Sequence, residues 1–199
     1  MAYPTVSGPY GLKPVNLIGG QVFAGATRQI PIASAYGTNL LNGDLVKIVA
    51  SGTLEKDAGT TTATPVGVFL GCRYTDPSLG YELYSQYFPA NTVASDIVAY
   101  VADDPDQLYK VAVVSGTVVI AGVGRTVVGN NMSLVQNAGS TQSGNSKVAV
   151  LSSSAATTNT LPIRVIDVVT ETASAADTYV ELIVKFNWGM HQYQNATGV

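Results

Sequence analysis

From about residue 21 onward the chain is a succession of short apolar runs rich in Val, Ile, Thr and Tyr, cut apart by clusters of Gly, Asn, Asp, Pro and Ser. Runs of this length with this punctuation are the signature of β-strands joined by turns. The clearest strand is Tyr179 to Trp188. There Val180, Leu182, Val184, Phe186 and Trp188 fall on one face, while Glu181, Lys185 and Asn187 fall on the other, the period of two that a half-buried antiparallel strand requires. The same reading predicts strands at Arg28 to Ser34, Asp44 to Ala50, Pro65 to Tyr74, Tyr81 to Phe88, Asp96 to Ala102, Tyr109 to Val114, Thr117 to Ala121, Lys147 to Leu151 and Ile163 to Thr170. No segment carries apolar residues at i, i+3, i+4 and i+7 between helix caps. Many short strands without intervening helices imply an all-β fold: an antiparallel β-sandwich or jelly roll, or a barrel-like domain.

Residues 1–20 read differently. Pro4, Pro9 and Pro14 with Gly8, Gly11, Gly19 and Gly20 block helix and favour an extended N-terminal arm, either a loosely ordered terminus or an arm that docks on a neighbouring subunit. Residues 21–199 are expected to form a single β-rich domain. Two spacers dominated by Ser, Thr, Asn and Gly, 129–146 and 152–160, are either surface loops of that domain or a sub-boundary within 129–160. A chain of 199 residues is long enough to bury a core without a metal or disulfide staple.

Charged residues make up only 12% of the chain, about half the usual fraction for a soluble domain, so much of its surface is neutral and polar. Ten Lys and Arg stand singly along the sequence against 13 Asp and Glu. Phosphate neutralisation calls for clustered cations, so direct nucleic-acid binding is not expected. The start Met1-Ala2-Tyr3-Pro4 has neither the basic nor the apolar region of a secretory signal, and no apolar run approaches the ~20 residues of a membrane helix. A chain made in a cytoplasm, without a membrane partner, is the expectation.

Side chains able to do chemistry are scarce. The one histidine, His191, sits in Gly189-Met190-His191-Gln192-Tyr193 with no second His or Cys nearby, which argues against a metal site. Cys72 lies in the apolar run Val66 to Cys72, where a thiol behaves as a small buried hydrophobe. Asp103-Asp104-Pro105-Asp106 is acidic enough to suggest calcium but lacks the spacing of a calcium loop, and reads as a turn between strands. Gly122-Val123-Gly124 lacks the helix and lysine of a phosphate-binding loop. No enzyme activity, cofactor or metal is expected. A carboxylate pair meeting only in space, as in glycosidases, is the enzymatic alternative. Eleven tyrosines, among them Tyr3, Tyr10, Tyr36, Tyr74, Tyr81, Tyr84, Tyr87, Tyr100 and Tyr109, suit protein interfaces or sugar platforms as well as ordinary strand positions.

Several stretches together resemble the head decoration, or cement, proteins of tailed bacteriophages, particularly those of marine phages. They are Tyr10 to Val15, Arg28 to Ala33 followed by Gly43 to Val46, Pro65 to Tyr74, Gln86 to Ala90 and Asp103 to Pro105. Val184 to Trp188 with His191 to Tyr193 and the final Gly198-Val199 complete the set. The resemblance implies a non-catalytic β-rich virion protein, commonly a homotrimer. It would sit on the capsid exterior after assembly in the host cytoplasm, bind the major capsid protein, and hold the expanded icosahedral shell against packaged DNA. On that footing Tyr10, Leu12, Pro14 and Val15 of the arm are the expected partner contacts. The alternative is a carbohydrate-binding or host-adhesion β-domain, which the tyrosines and the neutral surface suit equally.

Overall fold

A computed structural model describes residues 6–175 and 177–199 and is almost entirely β. Among the described residues the only helices are four 3-10 turns of three residues each, Arg125–Val127, Ser152–Ser154, Thr170–Thr172 and Gln192–Gln194. The strands, in chain order, are β1 (Lys13–Leu17), β2 (Arg28–Pro31), β3 (Leu45–Ile48), β4 (Leu54–Lys56), β5 (Gly67–Thr75), β6 (Glu82–Ser85), β7 (Val98–Ala102) and β8 (Gln107–Val114). There follow β9 (Asn131–Met132), β10 (Leu134–Val135), β11 (Ala149–Leu151), β12 (Ile163–Val168), β13 (Ala173–Ala175), β14 (Thr178–Tyr179) and β15 (Glu181–Phe186).

Two main sheets result. One runs β2-β7-β5-β3-β4, with β6 sharing an edge of β5 with β3. A parallel bridge from Ile32, just past β2, to Leu54 of β4 brings its two edges together, so the sheet nearly closes into a small barrel. Ile30, Leu54, Phe69, Phe88, Ala99 and Val101 belong to the core on its inner side. The second sheet runs β10-β11-β8-β15-β12-β9, with β1 antiparallel to the first half of β8 and β11 parallel to its second half. Its inward residues, including Tyr109, Val111, Leu182, Val184 and Phe186, pack in a second core with Leu45, Val68 and Ala102 of the barrel wall. The barrel wall is thus buried on both sides, which accounts for the unbroken apolar run Val66 to Cys72 on β5. At Gly67 the neighbouring strand comes so close that a Cβ would lie 2.3 Å from the Ala102 carbonyl.

The N-terminal segment departs from a free arm, apart from residues 1–5, which lie outside the described residues together with the expectations placed on Tyr3 and Pro4. Pairing of β1 with β8 makes Lys13 to Leu17 a strand of the second sheet, and Leu12 is fully buried in its core. Gly11 at φ +81° and Gly43 at φ +97° pass back to back, and the Leu12 amide donates to the Gly43 carbonyl at 3.0 Å. Segment 129–160 likewise contributes to this core through Met132, Leu134, Val148 and Val150. The buried Asp44 joins that segment to the barrel. It accepts hydrogen bonds from the Leu41 amide at 3.0 Å and the Ser146 hydroxyl at 2.6 Å, and pairs with Lys56 at 3.0 Å.

Two strand expectations fail. Thr117 to Ala121 forms bends in which Val118 and Val119 are exposed, because the segment folds back on the end of β8 through the Val114–Ile120 bridge. The alternation of Tyr179 to Trp188 holds from Leu182 to Phe186 and no further in either direction. Trp188 lies in a turn and is 77% exposed, whereas Glu181 on the expected solvent face is buried.

Candidate functional site

His191 and Cys72, the side chains best suited to chemistry, are both buried. The His191 ring packs between Phe186 and Tyr193, with centroids 5.8 and 5.2 Å away. Its Nδ1 accepts from the Tyr193 amide at 3.2 Å, and its Nε2 has no hydrogen-bond partner among the described residues. Burial holds this imidazole below its ordinary pKa, opposed by the Asp103 charge and by the main chain at Asp103 and Val66. The Cys72 thiol donates to the Tyr87 carbonyl at 3.5 Å, and burial pushes its pKa up to about 12. At that value it is not a thiolate at neutral pH.

The three carboxylates of the 103–106 turn diverge. Asp103 accepts from Arg28 Nε at 2.5 Å and from the Tyr193 hydroxyl at 2.9 Å. Asp104 accepts from the Asp106 amide at 2.8 Å, closing the turn, and Asp106 pairs with Lys185 at 3.0 Å. Among the described residues no three His, Cys, Asp or Glu side chains gather as metal ligands. Arg28, Asp103, Asp104 and Tyr193 line an open depression of about 590 Å³. Burial, together with the hydrogen bond to Asp103, raises the Tyr193 hydroxyl to about 12, and Arg28 stacks 5.3 Å from its ring. The adjacent Gln192 side chain bonds both the amide and the carbonyl of Ile48 in β3, at 2.8 and 2.6 Å. His191, Gln192 and Tyr193 therefore clasp the C-terminal segment onto the barrel.

The four expected contact residues are only partly available. Tyr10 donates its hydroxyl to the buried Glu181, which also pairs with Lys110 at 3.4 Å, and burial with that hydrogen bond drives the phenol well above its usual range. Leu12 has no exposed surface, and Pro14 and Val15 are half-buried within β1.

Large apolar side chains lie open elsewhere, which strand periodicity alone did not single out. Trp188 is 77% exposed, Val22 76% and Tyr84 70%. Tyr84 and Trp188 mark two grooves. On the barrel, β6 sets Tyr84 beside Arg73 of β5, and β7 sets Tyr100 beside Gly71. Tyr84, Tyr100, Ser85, Gln86 and Asn42 line an open groove of about 500 Å³ floored by Gly71. On the second sheet, Trp188, Ile18, Ile166, Arg164 and Lys185 line a groove of about 250 Å³. No family model matches this chain, and no curated protein and no solved structure matches it either.

Proposed function

We propose that this chain is a virion structural protein, a decoration or cement protein that binds the outer surface of an icosahedral phage capsid through the major capsid protein. The observation that carries the reading is the combination of buried or committed reactive groups with large apolar side chains, Trp188 and Tyr84 foremost, left open on two different sheets. Exposed apolar surface of this kind marks sites that another macromolecule covers. The segments resembling phage decoration proteins support the same reading, and they include both the Trp188 strand end and the His191 clasp.

A two-sheet body with a core shared between the sheets suits a clamp. A protein that binds only the expanded shell lattice stabilises that state by mass action against the outward push of packaged DNA. Homotrimerisation about a local three-fold axis would let contacts of modest strength combine through effective concentration. No catalytic step is needed. The test is rebinding of the purified protein to expanded shells stripped of it, followed by imaging of the particles. Ordered density for this chain on the shell exterior is expected, and shells that stay bare at saturating protein overturn the reading.

A second reading rests on the barrel groove. Tyr84 and Tyr100 stand either side of a glycine floor with Gln86 and Ser85 at hand, an arrangement suited to stacking a sugar ring and bonding its hydroxyls. It makes the chain a host-adhesion domain. Specific signals on a glycan array, lost in Tyr84→Ala, together with no shell binding, would replace the first reading by this one.

A further inference from the structure

The groove on the second sheet has more structure than an exposed tryptophan. Arg164 of β12 lies opposite Lys185 of β15 and Asn131 of β9, so two cations face each other directly across paired strands, an arrangement that costs stability. Lys185 is compensated by Asp106 at 3.0 Å. Arg164 has no carboxylate within 4 Å among the described residues. Its guanidinium is held instead by two buried asparagines, with Nε donating to Asn131 Oδ1 and Nη2 donating to Asn187 Oδ1 at 3.2 Å.

Both asparagines are themselves fixed. Asn131 Nδ2 donates to the Thr158 carbonyl at 2.9 Å, and Asn187 Nδ2 donates to the Asn159 and Leu161 carbonyls at 2.8 and 3.0 Å. Asn187 Oδ1 also accepts from the Trp188 amide at 3.0 Å, so one side chain positions both the guanidinium and the tryptophan turn. A guanidinium carries five N–H donors. The asparagines engage one edge, and Nη1 with the remaining N–H of Nη2 has no partner among the described residues. That free edge matches the two oxygens of a carboxylate. Beside it stand Ile18, 48% exposed, Trp188, 77% exposed, and Ile166, the extra residue of a bulge between Val165 and Asp167.

We infer that this groove is a docking site for a protein segment that presents a carboxylate next to an apolar side chain, the carboxylate on Arg164 and the apolar group between Ile18 and Trp188. Charge complementarity selects the occupant, since the site offers a preorganised, uncompensated cation in a chain whose net charge is −3. The inference deepens the decoration reading and rests on it for the identity of the partner, an acidic segment on the outer surface of the capsid subunit. Fixing the guanidinium before binding lowers the ordering cost of association.

Trp188 is the chain's one tryptophan, so tryptophan emission, excited selectively over the eleven tyrosines, reports on this groove. The probe is a library of capped hexapeptides with Asp or Glu beside Leu, Ile or Phe, each matched by its Asn or Gln counterpart. Acidic members are expected to shift Trp188 emission at sub-millimolar concentration and to weaken as salt is raised. Their amide counterparts should bind at least tenfold more weakly. By calorimetry, Arg164→Gln should lose about tenfold in affinity for acidic peptides, with Arg164→Lys recovering part of it. Ile18→Asn, at an exposed position outside the asparagine network, keeps the fold whatever Arg164→Gln does to it, and should lose at least threefold. Equal binding of acidic and amide peptides, no binding by any member, or full affinity in Ile18→Asn overturns the site. Shell rebinding separates the two ideas. Peptide binding with bare shells removes the capsid partner and leaves the groove, whereas undiminished rebinding by both Ile18→Asn and Arg164→Lys removes the groove as the docking site.

Discussion

Replacing Leu12 by Ala is the sharpest test of whether the N-terminal segment belongs to the folded body. Leu12 has no exposed surface and sits in the core shared by the barrel wall and the second sheet. Truncating a buried leucine costs the transfer free energy of the lost methyl groups plus that of the cavity, about 2–5 kcal/mol in all. Collapse into the space is restricted here. The adjoining Gly11 already lies against Gly43, where a Cβ would meet the Gly43 carbonyl at 2.8 Å, and the Leu12 amide is tied to that same carbonyl. The cost therefore falls in the middle of the range, about 3–4 kcal/mol. For a chain of this size each kcal/mol moves Tm by about 2–4 °C, so a fall of about 6–16 °C is expected in a calorimetric melt. Val15→Ala, at a half-buried position of β1, serves as the comparison and should cost less than about 1 kcal/mol. A Leu12→Ala melt within about 2 °C of wild type would refute the argument and restore the free arm. By the same logic, removal of residues 1–16 takes away most of β1 and a core leucine, and is expected to unfold the second sheet rather than leave an intact domain lacking an arm.

The pH dependence follows from His191. Because burial lowers its folded pKa below the unfolded value of about 6.5, the unfolded chain binds the extra proton. The stabilisation is complete above the unfolded pKa and declines as pH falls through it; chemical denaturation at pH 7.5 and 5.5 should show the loss, and His191→Gln should flatten it. Cys72, with its pKa pushed up to about 12, should resist alkylation at pH 8 in the folded protein and react on unfolding, measured by mass spectrometry; rapid native labelling would contradict its burial. Tyr193→Phe removes the bond to Asp103 and should raise amide exchange at Gln192, whose N–H donates to the Pro65 carbonyl at 2.9 Å, while exchange in the β5 core stays unchanged. Equal exchange at Gln192 in both proteins would show that Tyr193 does not hold the clasp.

Local chemistry determined a good deal by itself. Alternation and turn punctuation were enough for the all-β class and for the positions of β2, β3, β5 to β8, β11, β12 and β15, because strand period and glycine or proline breaks are properties of a few neighbouring residues. The turn at 103–106 and the burial of Cys72 were legible for the same reason. Tertiary structure decided what those pieces are for. Pro14 read as an arm residue until β8 supplied a partner strand, since a backbone ladder depends on a chain segment nearly a hundred residues away. Glu181 read as a solvent-facing carboxylate until Tyr10 and Lys110 met it. Trp188 continued the core face of its strand in sequence, yet the strand ends at Phe186 and the next turn carries the indole into the open. Arg164, one cation among ten in the sequence, is distinguished only by where Asn131 and Asn187 lie. Periodicity tells which way a side chain points from its own strand; what waits there is set by long-range packing, and that is where the grooves of this protein arise.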